Sequence, residues 1–349
     1  MSEDAAAPFY GVIGAGSFGT AVANLLAQNV KVLLFSRNPE IVERINQSRQ
    51  HFGVEIHPNI RAINSLQELA ENCYTIFPIV PSSSFRKMMR AIGPFLRPYH
   101  ILIHGTKGFD VYGIDEEEIG VQKLIPAHVH TMSQVILQES SVRRVGCLAG
   151  PNLASEIMEG QPTATVVSSR FSEVVEIGKK VLTSPQFHVF GSQDILGSEL
   201  AGALKNMIAI GSGILRGRGL GKNIQAMLIT RGLTEMVSFG NAFGSEKRAF
   251  FGTSGVGDLI ATATSKDSRN FTFGYRLGKG EDFEAIQNSM PELAEGVRTI
   301  NIAYHLAKSI RLRVPITQML YQVVFQQYSI DEAIQYLMSY PYDIDIDFF

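Results

Sequence analysis

A glycine-rich turn near the start of the chain is the feature that most limits what the sequence can fold into. Gly14, Gly16 and Gly19 form a G-x-G-x-x-G pattern between the strand-like segment Phe9–Ile13 and the helix-like segment Thr20–Gln28. In a βαβ unit, these glycines permit a tight turn, admit a pyrophosphate to the backbone and let helix and strand pack closely. The helix N-terminus then offers free N–H groups to the phosphates. The context favours dinucleotide binding over a purely structural turn.

The end of the second strand bears on which dinucleotide is bound. NAD-selective sites usually carry an acidic residue there, which holds the ribose 2′-hydroxyl. This chain instead has Ser36-Arg37-Asn38 after the predicted strand Lys31–Phe35. The planar guanidinium group of an arginine matches the oxygens of a 2′-phosphate. Arg37 therefore favours NADP(H), with NAD(H) as the second option; an arginine that stacks on adenine or is simply exposed is the alternative.

Two periodicities divide the 349 residues into two predicted domains. Strands and helices alternate up to about residue 190, which is typical of a parallel sheet covered on both faces. Later segments follow a helical period. We predict an α/β protein with a Rossmann-type doubly wound sheet in residues 1–190 and an all-helical substrate-binding and catalytic domain in residues 191–349. The predicted strands include Thr75–Val80, Ile101–His104, Val145–Leu148 and Thr163–Val167, and the predicted helices are one opening near Pro39, then Ser84–Ile92, Ile195–Leu215, Ile224–Phe243, Pro291–Lys308 and Ile316–Gln327.

Composition and charge argue against several classes of function. A formal net charge of −2 gives no bulk attraction to nucleic acid or to anionic membranes. Cys73 and Cys147 form neither a disulfide framework nor a metal motif, so we expect a reducing cytoplasm and no metal. We find no signal peptide and no apolar run of membrane-spanning length. Apolar helices in the second domain favour a homodimer. The tail Asp343–Phe349 is interpreted as a frayed end, with an edge strand or a docking segment as alternatives.

Loops at the carboxyl ends of the predicted strands are the expected ligand-binding positions of a doubly wound sheet. Val80-Pro81-Ser82 follows one such strand. Lys107 lies between small residues after the strand Ile101–His104, where it is well placed to reach a substrate. An ordinary solvated lysine is the alternative. Gly150-Pro151-Asn152 follows another strand and offers backbone donors.

Lys205 is the most informative single residue, because it is the only charged residue between Glu199 and Arg216. A lysine in an apolar helix either extends its amine to the surface or faces a functional cavity. Desolvation lowers the pKa of an amine in general, which suits acid–base catalysis near neutral pH. The pattern alone leaves both interpretations open.

Two further clusters of polar residues follow Lys205 in the sequence. Asp258 ends the glycine-rich stretch Gly252–Gly257, where it is suited to orient an ammonium group or to hold a substrate hydroxyl. An aspartate after a glycine is also common in turns. Ser268-Arg269-Asn270 combines a guanidinium group with two neutral hydrogen-bonding side chains. This triplet suits a phosphate group or, equally, a helix cap.

Taken in order, these blocks resemble those of the bacterial NAD(P)-linked glycerol-3-phosphate dehydrogenases. The resemblance spans nearly the whole chain and is specific because many separate blocks agree. They are Gly14-Ala15-Gly16-Ser17-Phe18-Gly19-Thr20-Ala21, Val80-Pro81-Ser82, Thr106-Lys107-Gly108, Gly150-Pro151-Asn152-Leu153-Ala154, Glu199-Leu200-Ala201-Gly202-Ala203-Leu204-Lys205-Asn206, Thr230-Arg231-Gly232-Leu233-Thr234-Glu235, Gly255-Val256-Gly257-Asp258-Leu259, Ser268-Arg269-Asn270 and Glu295-Gly296.

The resemblance implies roles for individual residues. Lys205 corresponds to the catalytic lysine, which accepts a proton in the oxidation direction; we expect Asp258 to orient it and Lys107 to polarise the substrate oxygens. The implied substrate-binding residues are Lys107, Gly150, Asn152, Lys205, Asp258, Ser268, Arg269 and Asn270. The implied cofactor-binding residues are Gly14, Gly16, Ser17, Phe18, Gly19, Arg37, Lys107, Ala154, Arg269 and Glu295. Asn152 stands where many members carry Ser or Thr. The segment Phe109–His130 looks longer than usual in the family and is assigned no role.

The implied reaction is the reversible NAD(P)H-dependent reduction of dihydroxyacetone phosphate to sn-glycerol 3-phosphate, a step that supplies glycerophospholipid synthesis. The implied second domain is similar to the C-terminal domain of 6-phosphogluconate dehydrogenase. One alternative is a related NADP-dependent reductase of the ketopantoate or opine type, but Lys107 with Ser268-Arg269-Asn270 favours a phosphorylated substrate. Another is a silent NAD(P)-sensing protein, which would have no reason to keep Lys205 and Asp258.

Overall fold

The computed structural model of the chain describes residues 9–290 and 294–341, which form two units. The first unit falls within Met1–Asp110 and Met132–Ile195, and the second within Val111–Thr131 and Leu196–Phe349. The predicted division at residues 190 and 191 differs from this result, because it left residues 111–131 in the first domain. The structure assigns them to the second unit, where Glu116 forms an ion pair with Arg298. The tail Asp343–Phe349 lies outside the described residues.

A parallel sheet forms the centre of the first unit. The strands of the described residues are β1 Phe9–Ile13, β2 Val32–Phe35, β3 Gln50–His51, β4 Val54–Glu55, β5 Ile60–Ile63, β6 Cys73–Pro78, β7 Ile101–His104, β8 Asp110–Val111, β9 Val129–His130, β10 Arg144–Ala149, β11 Thr163–Ser168 and β12 Phe187–Ser192. β3 pairs with β4, and β8 with β9, in two separate two-stranded sheets, and Val111 and β9 belong to the second unit. Among the described residues, eight of them pair in the order β12-β11-β10-β7-β6-β1-β2-β5. The β10–β11 pair is antiparallel, and the other neighbouring pairs are parallel.

Helices cover both faces of this sheet. They are α1 Ser17–Ala27, α2 Pro39–Ser48, α3 Leu66–Asn72, α4 Ser82–Ile92, α5 Met132–Glu139, α6 Ala154–Met158 and α7 Ser172–Leu182. Successive residues of a strand point to opposite faces, so Val12 lies in one apolar cluster and Ile13 in the other. A sheet that is buried on both faces is the doubly wound arrangement that the alternating pattern predicts. The fold class is therefore confirmed for this unit.

Helices build the second unit from residue 196 onward, as predicted, and no strand occurs in the described part of that range. They are α8 Ile195–Gly217, α9 Lys222–Phe243, α10 Arg248–Phe251, α11 Asp258–Thr264, α12 Arg269–Gly278, α13 Phe283–Ser289, α14 Glu295–Ile310, α15 Pro315–Phe325 and α16 Ile330–Ser339. The predicted helices over residues 195–215, 224–243 and 316–327 are confirmed with small shifts at their ends. None of the helices in the described residues has the length and apolar character needed to cross a membrane.

Close backbone contact fixes α12 against α8. A Cβ atom at Gly274 on α12 would lie 2.0 Å from the carbonyl oxygen of Ile210, and one at Gly213 on α8 would lie 2.1 Å from that of Phe271. Real atoms do not approach so closely, so only glycine fits at these two positions at the observed separation. The spacing of the two helices thus depends on residues that have no side chain.

A buried glutamate joins α9 to the start of α15. The Glu235 carboxylate accepts hydrogen bonds from the backbone N–H of Ile316 at 2.5 Å and of Thr317 at 3.0 Å, and from the Thr317 hydroxyl at 2.7 Å. It therefore caps the N-terminus of that helix from a neighbouring helix. Burial raises the pKa of Glu235 to about 7, although the three hydrogen bonds act to lower it.

The raised pKa of Glu235 predicts a specific pH dependence of stability. Between about pH 4.5 and about pH 7 the folded protein keeps a proton that the unfolded chain has lost, so the free energy of unfolding falls as pH rises. Relative to Glu235→Gln, we expect the wild type to lose on the order of 3 kcal/mol over that interval. Urea denaturation at a series of pH values measures the difference. Glu246→Gln, at an exposed glutamate, is the control; parallel curves for wild type and Glu235→Gln would contradict the assignment.

Candidate active site

The predicted phosphate-binding turn has the shape that its glycines require. Gly14 has a φ of +117°, and a Cβ atom there would lie 2.0 Å from the carbonyl oxygen of Ile79. A Cβ atom at Gly19 would lie 1.8 Å from the carbonyl oxygen of Gly14. Helix α1 begins at Ser17 with Gly16 as its N-cap, so no side chain caps its first turn. The backbone therefore leaves a space lined by helix N–H groups, which fits the pyrophosphate of a dinucleotide.

A histidine that the sequence did not reveal supports this turn. The Nε2 atom of His51 lies 2.9 Å from the carbonyl oxygen of Ala15, so a ring N–H donates to the turn itself. His51 is buried, and its Nδ1 atom lies 3.5 Å from a guanidinium nitrogen of Arg44. Because His51 and Ala15 are separated by 36 residues, no local pattern could have linked them.

The structure places Arg37 immediately after β2 in an exposed position. Within the described residues no ion pair or hydrogen bond engages its side chain, so the guanidinium group is available to an anion. Asn38 is the N-cap of α2 and accepts a hydrogen bond from the backbone of Glu40 at 2.9 Å. Arg37 is thus the residue of the triplet Ser36-Arg37-Asn38 that is open to a ligand.

Two of the predicted ligand-binding loops of the first unit meet at Lys107. The Lys107 ammonium group, in the loop after β7, donates to the carbonyl oxygen of Gly150, after β10, at 2.8 Å. Asn152 donates from its amide to Thr165 Oγ1 at 3.0 Å. Its own Oδ1 atom is buried and accepts no hydrogen bond from the described residues. The Lys107 ammonium group and the Asn152 amide oxygen therefore both lie at the turn Gly150-Pro151-Asn152. Ala154 begins α6 just after this turn.

In the second unit, Lys205 is buried rather than extended to the surface. Its side chain is 6% exposed, and Nζ lies 2.5 Å from Oδ1 of Asp258, which is itself 1% exposed. Lys205 also donates a short hydrogen bond to Thr262 Oγ1. A buried charge needs a partner and hydrogen bonds of this kind. The structure therefore excludes the interpretation in which Lys205 extends its amine to the surface.

The elements around Asp258 explain how it reaches the lysine. A π-helical turn, Thr253–Gly257, precedes Asp258, which is the first residue of α11. Such turns are rare and are frequent at functional sites. Thr262 follows Asp258 by four residues and therefore lies on the same face of α11. That spacing was the only signal in the sequence that could have identified Thr262.

A second chain of hydrogen bonds starts at the neighbour of Lys205. The side-chain oxygen of Asn206 accepts from the amide of Asn270 at 3.0 Å. The Oδ1 atom of Asn270 accepts from the backbone N–H of Gly296 at 2.8 Å. These bonds join α8, α12 and α14, and Asn206 is a further residue that sequence reasoning missed. Asn270 thus already uses its acceptor inside the protein and retains one amide hydrogen for a ligand.

The residues on either side of Asn270 differ in their surroundings. Ser268 is the N-cap of α12 and accepts from the backbone N–H of Phe271 at 3.3 Å, so it forms the helix cap that the sequence offered as one alternative. Arg269 is the first residue of α12, and Glu295 is the first of α14. Burial lowers the pKa of Arg269, and the carboxylate of Glu295 partly offsets this effect. Arg269 and Glu295 therefore interact electrostatically within the second unit.

The structure gathers the predicted site residues into two groups, one in each unit. The first unit holds Gly14, Gly16, Ser17, Phe18, Gly19, Arg37, Lys107, Gly150, Asn152 and Ala154, and the second holds Lys205, Asp258, Ser268, Arg269, Asn270 and Glu295. Within the first group, the loops after β7 and β10 are in direct contact. Within the second, hydrogen bonds connect Lys205 to Asp258 and tie Asn270 to the start of α14.

Comparison with known proteins matches both halves of the chain to one family. Residues 10–175 match the family model for the N-terminus of NAD-dependent glycerol-3-phosphate dehydrogenase, and residues 194–335 match the model for its C-terminus. A glycerol-3-phosphate dehydrogenase (NAD(P)+) from Pseudomonas paraeruginosa is 36% identical over 343 residues, which cover 97% of this chain and 96% of that protein. A relative of the same name from Staphylococcus carnosus is 36% identical over 333 residues, covering 94% and 97%.

A solved structure gives the same result. The crystal structure of a glycerol-3-phosphate dehydrogenase from Coxiella burnetii is similar to this chain with a TM-score of 0.85 and 29% sequence identity. The similarity covers 95% of this chain and 99% of that one. Sequence and fold therefore agree over almost the full length of both proteins.

The buried ion pair predicts that loss of Asp258 alone lowers the free energy of unfolding strongly and that removal of Lys205 as well restores most of it. Asp258→Ala leaves the Lys205 ammonium group buried without its carboxylate, which costs about 3–5 kcal/mol of the free energy of unfolding. In the double variant Lys205→Met with Asp258→Ala, we expect most of that loss to be recovered, because no buried charge remains. Urea denaturation measures both. Asp331→Ala, which breaks the exposed pair with Arg218, is the control with little expected effect; additive losses in the double variant would contradict the pairing.

Proposed function

The chain belongs to the NAD-dependent glycerol-3-phosphate dehydrogenase family, and we propose that it interconverts dihydroxyacetone phosphate and sn-glycerol 3-phosphate. It is an oxidoreductase with a nicotinamide dinucleotide as cofactor. The observation that carries the proposal is the buried pair of Lys205 and Asp258, because an ammonium group that is shielded from solvent and oriented by a carboxylate is suited to proton transfer. The ketopantoate or opine type of reductase is not favoured, since both halves of the chain match this family.

We assign the dinucleotide first to the turn from Gly14 to Gly19, whose backbone N–H groups would hold the pyrophosphate. When bound, the cofactor supplies or accepts the hydride. Arg37 would bind a 2′-phosphate, and its exposed guanidinium group supports a preference for NADP(H) over NAD(H). The further cofactor-binding positions are Ser17, Phe18, Lys107, Ala154, Arg269 and Glu295.

Lys205 is assigned the proton transfer. In the reduction direction its ammonium group donates a proton to the forming alkoxide, and its charge stabilises the negative oxygen before the transfer is complete. In the oxidation direction the neutral amine accepts that proton. Asp258 and Thr262 hold Nζ in place through the contacts described above, so they act by orienting the lysine.

The substrate phosphate is assigned to a second set of side chains. Arg269 offers a planar set of donors that matches phosphate oxygens, and Asn270 and the hydroxyl of Ser268 add hydrogen bonds. Lys107 would polarise the substrate oxygens, and Gly150 and Asn152 border it. Binding energy from the phosphate would align the reacting carbon, because it comes from a part of the substrate that does not react.

We further propose the cellular setting of the reaction. The product would supply glycerophospholipid synthesis, as the family resemblance implies. Cys73 and Cys147 are buried and belong to no disulfide among the described residues, which fits a cytoplasmic enzyme. Exposed apolar side chains on the second unit, at Phe251 and Ile260, support a homodimer.

Replacement of the catalytic lysine tests the proposed function. We expect Lys205→Ala to lower kcat for dihydroxyacetone phosphate reduction by about a hundred- to ten-thousandfold, because the general acid is lost. NADPH binding should persist, since the residues of the glycine-rich turn are unchanged. Absorbance of the reduced nicotinamide measures turnover, and Lys222→Ala, at an exposed lysine, is the control. Near-normal turnover of Lys205→Ala would remove its proposed role.

Replacement of Arg37 tests the cofactor preference. We expect Arg37→Ala to raise KM for NADPH by about tenfold or more, because a hydrogen-bonded charge contact with the 2′-phosphate is lost. KM for NADH should change little. Lys31→Ala is a matched control, since Lys31 is exposed and precedes β2, whereas Arg37 follows it. Equal effects on both cofactors would show that Arg37 does not read the 2′-phosphate.

A further inference from the structure

The hairpin of β3 and β4 contacts the glycine-rich turn, and the proposed reaction assigns it no role. His51 pairs with Val54 across the two strands, so only Phe52 and Gly53 connect them. Both connecting residues have a positive φ, +50° at Phe52 and +74° at Gly53, which is typical of the tight two-residue turns of hairpins. A positive φ is strained for a bulky residue such as phenylalanine and persists only where the surrounding structure holds it. Contacts outside the hairpin therefore have to fix its position.

Two polar side chains outside the hairpin supply these contacts. Asn24 on α1 donates to the carbonyl oxygen of Glu55 at 3.1 Å and accepts from the backbone N–H of His57 at 3.0 Å. Arg49 donates to the carbonyl oxygen of Ile56 at 3.1 Å and makes a further short hydrogen bond to that of His57. These bonds tie the residue before β3 to the residues after β4, and both to α1. The hairpin is therefore fixed relative to the helix that follows the glycine-rich turn.

The neighbours of the His51 ring select one of its two neutral tautomers. Nε2 lies 2.9 Å from the carbonyl oxygen of Ala15, which can only accept, so Nε2 carries the hydrogen atom. Nδ1 lies 3.5 Å from a guanidinium nitrogen of Arg44, which can only donate, so Nδ1 presents its lone pair. Both contacts require the same tautomer, and the ring is buried. His51 is therefore a fixed donor directed at the glycine-rich turn.

The Ala15 carbonyl group belongs to the peptide unit that leads into Gly16, the N-cap of α1. This unit is planar and trans, so its C=O and N–H groups point in opposite directions. The bond from His51 thus directs the N–H of Gly16 away from the hairpin. No backbone carbonyl group of the described residues accepts a hydrogen bond from that N–H. It is available to an anion, together with the N–H groups in the first turn of α1.

We propose that His51 is a positioning residue for the dinucleotide: it holds the Ala15 carbonyl group and so keeps the N–H of Gly16 directed at the pyrophosphate. The inference rests on the proposed function, which assigns the pyrophosphate to the glycine-rich turn. Without the ring donor, the carbonyl group loses its partner and the peptide unit gains freedom to rotate. Binding then has to order the turn, and this cost lowers the affinity. Since NADH and NADPH share the pyrophosphate, His51 affects both, whereas Arg37 is assigned to the 2′-phosphate alone.

The dissociation constants of NADPH and NADH, measured by titration calorimetry on the full chain, test this role. His51→Met keeps a side chain of similar size without a donor, and we expect it to raise both constants by the same factor, about three- to tenfold, the worth of one hydrogen bond. His51→Leu repeats the test with a second donor-free side chain. His51→Gln, whose amide nitrogen can take the place of Nε2, should bind both within about twofold of the wild type. His188→Met, at an exposed histidine on β12, is the control.

The comparison of His51→Gln with His51→Met separates positioning from a general loss of structure. The two new side chains have nearly the same length and volume, but only the amide carries N–H groups. A distortion of the hairpin by the altered shape would therefore weaken binding in both variants alike. ADP-ribose, which keeps the pyrophosphate and lacks the nicotinamide, should lose affinity for His51→Met by the same factor as NADH.

Three results would overturn the inference. One is wild-type binding by both His51→Met and His51→Leu; another is a His51→Gln variant that binds as weakly as His51→Met; the third is a loss of affinity for NADPH without a loss for NADH. Because the readout is binding, a wild-type protein that binds NADPH without reducing dihydroxyacetone phosphate would contradict the proposed reaction alone. A wild-type protein that binds no dinucleotide would contradict both.

Discussion

The second unit is organised around one buried ammonium group. Lys205 lies on α8 among fully buried apolar side chains, including Leu204, Met207 and Ile208. An unpaired charge in that position would cost several kcal/mol, so the surrounding chain has to supply a carboxylate and further hydrogen-bonding groups. The π-helical turn before α11 places Asp258 beside the Lys205 ammonium group, and the next turn of α11 places the Thr262 hydroxyl there as well. The ammonium group that is costly to bury is also the group to which the proposed function assigns the proton transfer.

The environment of Lys205 extends outward through its neighbour. Asn206 connects α8 to Asn270 and through it to the start of α14, while glycines allow α8 and α12 to approach at backbone distance. Arg269 and Glu295, at the first positions of α12 and α14, are therefore held by the framework that holds the lysine. In a protein with a formal net charge of −2, anionic ligands depend on such locally placed cations.

Local patterns in the sequence predict much of the fold and part of the candidate site. The strand Phe9–Ile13 and the turn after it could be predicted because periodicity and glycine spacing act over a few residues. The burial of Lys205 could not, because its partners Asp258 and Thr262 lie 53 and 57 residues away. The contact of Glu116 with Arg298 spans 182 residues, so no local pattern could have linked residues 111–131 to the second unit.

The strands that the sequence did not reveal have a similar cause. The exposed Arg61 interrupts the apolar residues of β5, and the exposed Phe190 in β12 breaks the alternation of apolar and polar residues that marks a strand. The antiparallel pairing of β10 with β11 departs from the parallel sheet that the alternating pattern predicted. Pairing direction depends on the path of the connecting chain, which periodicity does not encode.

The most direct test of the account is the substrate preference of the unmodified protein. Values of kcat/KM for dihydroxyacetone phosphate, with NADPH and with NADH, should be compared with those for ketopantoate and other carbonyl compounds without a phosphate. The account predicts efficient reduction of dihydroxyacetone phosphate and little or none of the others, because Arg269 and its neighbours are assigned to the phosphate. Reduction of ketopantoate at a rate that equals or exceeds that of dihydroxyacetone phosphate would contradict it.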